Sequence, residues 1–198
     1  MCLENIYSET YELLKTIKIK KTNNRPNASG LKKIVQWGKN KGSVNFDRVG
    51  FPCESMNFGL VQKRFSHNGN PKNKYDNPIQ EGSNNSKYPE IYNQLKKLIH
   101  EIDENFEYDC ITLNHNFLSK PHFDKNNKSP SIIIGLGNYE GGELVIENCE
   151  FDIKNKPLIF HGGTTRHWTN NYEGDRYSII YFKIKWINRK SSFIFIKD

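Results

Sequence analysis

The stretch Ser131-Ile132-Ile133-Ile134-Gly135-Leu136-Gly137-Asn138-Tyr139-Glu140-Gly141-Gly142-Glu143-Leu144-Val145-Ile146 holds two short apolar runs parted by glycine and asparagine. Such runs, at residues 131–136 and 143–146, read as buried strands, with Gly141-Gly142 as a hairpin turn that lets two strands reverse. The pattern extends on both sides. Residues 110–113, 157–160, 177–184 and 193–196 are further short apolar runs, with Gly, Asn and Pro in the gaps. Many short strands with turn signals between them predict a β-sandwich or barrel of jelly-roll type over residues 109–198. Within it, the aromatics Tyr177, Tyr181, Phe182 and Trp186 read as core.

Upstream of Asp109 the character differs. Leu3, Ile6, Tyr7, Leu13, Leu14 and Ile17 fall near helical spacing, so residues 3–19 predict a short amphipathic helix. Residues 23–30 read as a loop, and 31–37 and 56–65 as short strands. Residues 66–87 form a long polar stretch that is either a disordered insert or a functional loop over a site. Pro89 opens the clearest helix, 88–102, with Ile91, Leu95, Leu98, Ile99 and Ile102 on one face. The fold class is therefore mostly β with N-terminal helices (α+β). The chain divides into an N-terminal helical and strand extension over 1–108 and a jelly-roll core over 109–198, in one domain of 198 residues.

Composition bounds the function classes. A mean hydropathy of −0.78 and apolar runs of four or five residues exclude a membrane-spanning helix, which needs roughly 20. Aromatic residues at 13% argue against wholesale disorder. Cys2, Cys53, Cys110 and Cys149 are spread without a CxxC pair, which speaks against a cysteine zinc site or a disulfide scaffold. With no secretory signal at the N-terminus, the expected location is intracellular, cytoplasmic or nuclear. The net charge of +7 is unevenly held. Residues 1–99 carry 17 Lys/Arg against 8 Asp/Glu, and residues 100–198 carry 12 against 14. Nine basic residues fall within 15–41 with no acid among them. This run either engages phosphates or is a solvated surface. No obligate protein partner is evident.

The chemistry sits in the β half. In His122-Phe123-Asp124, residues two apart point to the same side of a strand or its exit, so an imidazole and a carboxylate converge. A third ligand would complete two His and one carboxylate on one face of an Fe(II), with open positions opposite. Downstream, His161 and His167 both offer that third ligand. Arg176-Tyr177-Ser178 then opens an apolar strand. An inward Arg is a costly buried charge unless paired, and a carboxylate is a natural bidentate partner. Ser178, two residues on, points the same way and can add a hydroxyl hydrogen bond.

Together His122-x-Asp124, His167 and Arg176-x-Ser178 stand in an order and spacing that resembles the double-stranded β-helix of Fe(II)/2-oxoglutarate-dependent oxygenases. The resemblance covers roughly the last 90 residues. It favours His167 over His161 as the distal ligand, because in the family that His lies shortly before the Arg-bearing strand and after a turn such as Phe160-His161-Gly162. The segments Leu113–Asn116, 121–127 and 135–144 further resemble the branch containing the TET and J-binding-protein base hydroxylases. There an HxDxxN arrangement supplies two iron ligands and an Asn that contacts the target base, a position held here by Asn127. The related AlkB-type demethylases hold 2-oxoglutarate with an Asn-x-Tyr pair. Only the first member is matched here, by Asn114, and a turn-capping role is its alternative. His67, His100 and His115 attract no role.

The resemblance implies Fe(II) held by His122, Asp124 and His167, with 2-oxoglutarate anchored by Arg176, Ser178 and Asn114. Dioxygen would be the second co-substrate, and ascorbate a possible support of activity. The implied reaction converts 2-oxoglutarate to succinate and CO2 while hydroxylating a substrate C–H bond. Three readings remain: hydroxylation of a nucleobase or nucleic acid, hydroxylation of a prolyl or lysyl side chain, and a jelly-roll binding module without catalysis. The basic N-terminal half and Asn127 favour the first, with nucleic acid as partner.

Overall fold

The computed structural model describes residues 3–25, 51–62 and 79–184. The expected strands at 31–37 and 193–196, Trp186, His67 and, of the basic run, Lys32, Lys33, Lys39 and Lys41 lie outside the described residues.

Among the described residues three helices and ten strands follow in order: α1 (Leu3–Lys15), β1 (Lys21–Arg25), β2 (Phe51–Gln62), β3 (Ile79–Glu81), α2 (Ser83–Lys87), α3 (Pro89–Ile102), β4 (Cys110–His115), β5 (Ser131–Gly141), β6 (Leu144–Ile146), β7 (Cys149–Phe151), β8 (Leu158–Phe160), β9 (His167–Thr169) and β10 (Tyr172–Phe182). Helix α1 buries Ile6, Tyr7, Thr10 and Leu14, one stripe at helical spacing. It stops at Lys15, short of residue 19, and tightens through a turn in which Thr16 N donates to Leu13 O at 3.1 Å. Pro89 opens α3, which buries Ile91, Leu95, Leu98 and Ile99.

Among the described residues the larger sheet runs β1-β2-β4-β10-β5-β8, with β3 beside β2, and the smaller runs β7-β6-β9. Side chains alternate across the larger sheet. Ile111, Leu113, Ile132, Ile134, Leu136, Tyr177, Ile179 and Tyr181 face the helices and make the main core with α1 and α3. Ile133 and Phe160, from the opposite face, pack with Leu144 of the smaller sheet and Ile153. Two antiparallel sheets face each other over this second core, with helices on the outer side of the larger one. The result is an α+β jelly roll.

Tyr177 and Tyr181 are core as expected, on the helix side of the larger sheet, where their hydroxyls donate to Leu14 O at 3.5 Å and Leu95 O at 2.8 Å, whereas Phe182 borders the cavity described below. Several local readings differ from the structure. Gly141-Gly142 is not a hairpin, because β5 and β6 belong to different sheets. Both glycines have φ of +74°, a left-handed conformation that carries the chain across the sandwich. The polar stretch 66–87 ends in β3 and α2, where Asn85 exchanges side-chain hydrogen bonds with the Gly59 backbone. Strand β1 enters the expected loop at 23–30, and β10 starts five residues before the apolar run at 177 because its outer end is polar. Strand β2, from the N-terminal half, pairs along β4, so the larger sheet draws on both halves of the chain.

Candidate metal centre

His122 and Asp124 lie in the segment between β4 and β5, and His167 begins β9. Backbone bonds bring them together. His122 N donates to His167 O, and His167 N to His122 O, each at 3.0 Å; Asp124 N donates to Gly162 O at 2.7 Å. The two imidazoles consequently stand 4.3 Å apart between centroids.

Each ring is oriented by a main-chain carbonyl. His122 Nδ1 lies 2.7 Å from Lys120 O, and His167 Nδ1 lies 3.0 Å from Thr165 O. A carbonyl only accepts, so each Nδ1 carries a proton and each Nε2 is turned inward, where it can present a lone pair to a metal once unprotonated. Those Nε2 atoms lie 3.4 Å and 3.5 Å from the two oxygens of Asp124. One donor atom from each residue falls within 4.8 Å of the others, and no other such His/Cys/Asp/Glu group exists among the described residues.

Burial raises the Asp124 pKa, but the hydrogen bonds and charges of His122 and His167 outweigh it and hold the carboxyl well below the usual range. Burial lowers His122, and its contacts with Asp124 more than reverse that, so its net shift is upward. A divalent cation would take the place of these shared protons. Gly162 leaves the room: a Cβ there would press on Asp124 Oδ2 at 3.2 Å and His167 Cε1 at 3.4 Å. Two neutral imidazoles and a carboxylate fit an Fe(II) site with positions left open. His161 stands apart and exposed; its carbonyl accepts from Thr165 Oγ1 at 2.6 Å and anchors the turn before β9.

The trio lines a cavity of about 650 Å³, together with Asn114, Asn127 and Ser178. Asn114 and Ser178 are register partners on β4 and β10, and Ser55 of β2 is the next in the row. Ser55 Oγ donates to Asn114 Oδ1 at 2.7 Å, and Asn114 Nδ2 donates to Ser178 Oγ at 3.3 Å. Asn114 is thus a lumenal rung, not a turn cap. Asn127 Nδ2 donates to Ser131 Oγ at 3.1 Å. Phe123 is 43% exposed at the rim of the same cavity.

Arg176 sits on the same face of β10 as Ser178 but outside the cavity lining, and is 1% exposed. Its guanidinium carbon lies 5.3 Å from the ring centroids of both Tyr139 and Tyr172, and Nη2 donates to Gly142 O at 3.1 Å. Burial pulls its pKa down from the usual value. The cage of Tyr139 and Tyr172 escaped the sequence reading, because long-range register brings these residues together. The signal for it was the inward Arg itself, which needs neighbours. His115 escaped likewise: it bridges Glu54 and Asp175 at 2.6 Å each.

No protein-family model and no curated protein matches this chain. Among solved structures it is similar to "NgTET1 in complex with 5mC DNA", at 20% identity over 67% of this chain and 61% of that chain, TM-score 0.46. It is also similar to an oxidoreductase of the 2OG-Fe(II) oxygenase family from Burkholderia pseudomallei, at 15% identity over 66% and 67%, TM-score 0.43. A Pseudomonas putida prolyl-4-hydroxylase follows at 16% identity over 51% and 63%, TM-score 0.33. The chain thus spans 61% of the NgTET1 chain's length. No helix among the described residues is long and apolar enough to cross a membrane.

Proposed function

We propose that this chain is an Fe(II)- and 2-oxoglutarate-dependent dioxygenase that hydroxylates a C–H bond of a nucleobase in nucleic acid. The observation that carries the reaction class is the pair of carbonyl-oriented imidazoles whose Nε2 atoms converge on Asp124 at the wall of a polar cavity. Iron bound there with 2-oxoglutarate and dioxygen would supply the oxidising chemistry, with the co-substrate converted to succinate and CO2.

The chain's own residues hold and orient. His122, Asp124 and His167, held in place by their backbone ties, would ligate the metal. Asn114 and Ser178 offer amide and hydroxyl groups to 2-oxoglutarate along one wall, with Ser55 bracing Asn114 from outside the cavity lining. The Arg176 guanidinium, farther along the same face but outside the cavity lining, would supply the positive charge that favours a dicarboxylate. Ile133 and Phe160, farther along the same sheet, and Leu144 of the smaller sheet supply the apolar part of the lining.

The nucleobase reading rests on the cavity rim. Phe123 offers a flat apolar face, Lys125 a cation, and Asn127 an amide whose Nδ2 is engaged by Ser131, leaving the carbonyl oxygen to accept. This combination suits a base drawn out of its stack. The test is incubation with Fe(II), 2-oxoglutarate and ascorbate and each of DNA, RNA and peptide pools. Succinate release is followed by mass spectrometry of nucleosides and peptides. Oxidised nucleosides are expected; hydroxylated peptide with unmodified nucleic acid would replace the substrate assignment.

A further inference from the structure

Two polar atoms among the described residues are buried without a hydrogen-bond partner, the Tyr139 hydroxyl and Arg176 Nε. They are neighbours, since the guanidinium packs over the Tyr139 ring at 5.3 Å. Buried polar groups are nearly always satisfied, and two orphaned donors side by side mark a place where an acceptor belongs. Burial pushes the Tyr139 hydroxyl up, against the pull of Arg176, so it keeps its proton and remains a donor at neutral pH.

The position of the hydroxyl is defined by Gly135. A Cβ at Gly135 would collide with Tyr139 Oη, so the hydroxyl occupies the space a side chain would fill. Gly135 is the register partner of Ser178, on the same face of the larger sheet. Ser178 lines the cavity, and Arg176 does not. The Tyr139 hydroxyl therefore lies over Gly135, next to Ser178 in the same row, although Tyr139, like Arg176, falls outside the cavity lining. Gly142 completes the recess: a Cβ there would press on Arg176 Nε at 2.9 Å.

Resting on the 2-oxoglutarate reading above, we propose that Tyr139 is a specificity-determining residue. Its hydroxyl, beside that of Ser178, donates to the distal carboxylate of the co-substrate, and Arg176 lies behind it as the counter-charge. The ligand class is a dicarboxylate whose far end reaches this floor, as distinct from a 2-oxo acid that ends in a methyl group.

The test is Tyr139→Phe, read by calorimetric binding without dioxygen. Manganese(II)-loaded protein is titrated with 2-oxoglutarate and, separately, with 2-oxobutyrate, which lacks the distal carboxylate. The variant is expected to bind 2-oxoglutarate about tenfold or more weakly, the size of a lost hydrogen bond to a charged group. Its affinity for 2-oxobutyrate should be unchanged. Its thermal midpoint without ligand should equal or exceed that of the parent, because an unsatisfied buried hydroxyl has been removed. A variant that binds 2-oxoglutarate as the parent does, or loses both ligands equally, overturns the role of Tyr139 and leaves the co-substrate reading standing. A folded parent that binds neither compound overturns both. If the variant melts well below the parent, the hydroxyl has a structural partner and the proposal falls.

Discussion

The Nε2 atom of His115 lies 2.6 Å from Asp175 Oδ1, and Nδ1 lies 2.6 Å from Glu54 Oε2, so one ring ties β10 to β2 across β4. The ring also stacks on Tyr177 at 4.3 Å, and Tyr11 of α1 donates to Asp175 Oδ2 at 3.1 Å. With one ring nitrogen facing each carboxylate, the imidazole gives both a polar partner. His115→Leu removes this shared partner, leaving Asp175 with Tyr11 and Asn116, and Glu54 with the Lys21 ammonium at 3.9 Å. It is expected to cost about 1–2 kcal/mol, held down by the partial exposure of Asp175. Urea denaturation measures it, and an unchanged midpoint would mean that water serves the carboxylates equally well.

Asp175 carries an acid-side consequence. Burial raises its pKa, but hydrogen bonds from His115 and Tyr11 outweigh that, and the carboxyl lies below its ordinary value. A depressed carboxylate contributes stability above the unfolded value of about 3.9, and that contribution is lost as pH falls through the lower folded value. The urea midpoint should therefore decline in acid below about pH 4. Asp175→Asn should flatten that decline, and an equally steep decline in the variant would move the effect to other carboxyls.

At the metal centre, His122→Ala, Asp124→Ala and His167→Ala should each abolish turnover and stoichiometric Co(II) binding, read from the visible spectrum, with the fold retained. His161→Ala should keep both. Asp124→Glu should also fail, because the longer side chain misplaces its oxygen by about an ångström, which catalytic geometry rarely tolerates. Full activity in His167→Ala would remove the assignment.

Arg176→Ala should raise the concentration of 2-oxoglutarate needed for half-maximal turnover about ten- to a hundredfold, the range for a lost bond to a charged group. Arg176→Lys restores the charge without the planar guanidinium that packs against Tyr139 and Tyr172, and should recover only part. Parental dependence on 2-oxoglutarate in Arg176→Ala would place the anchor elsewhere.

For the substrate, neutralising Lys32, Lys33, Lys39 and Lys41 together should weaken nucleic-acid binding and flatten its salt dependence, by about one unit of slope per lost phosphate contact. These lysines lie outside the described residues. Asn127→Ala should instead lower turnover and leave binding nearly unchanged. Filter binding across a salt series distinguishes the two, and salt-independent binding in the parent would favour a peptide substrate.

The parts legible in the sequence were those carried by local pattern. Helix α3 announced itself through Pro89 and the spacing of Ile91, Leu95, Leu98 and Ile99. His122 and Asp124 stood out because two residues suffice to state their convergence. Strands β7 and β9 did not, being three residues each with no apolar alternation; pairing to β6 defines them. The Tyr139–Arg176–Tyr172 cage and the His115 bridge were invisible for a related reason. Each depends on which strands lie side by side, and a register is a long-range property that composition does not state.

The carbonyls that orient the two imidazoles belong to Lys120 and Thr165, and any residue at either position supplies the same carbonyl. Those two positions can therefore drift over evolutionary time without moving a ligand nitrogen. Vulnerability shifts to changes of chain length. A single insertion between residues 162 and 167 would slide His167 out of its reciprocal bonds with His122 and dismantle the centre while every ligand residue remained in the gene.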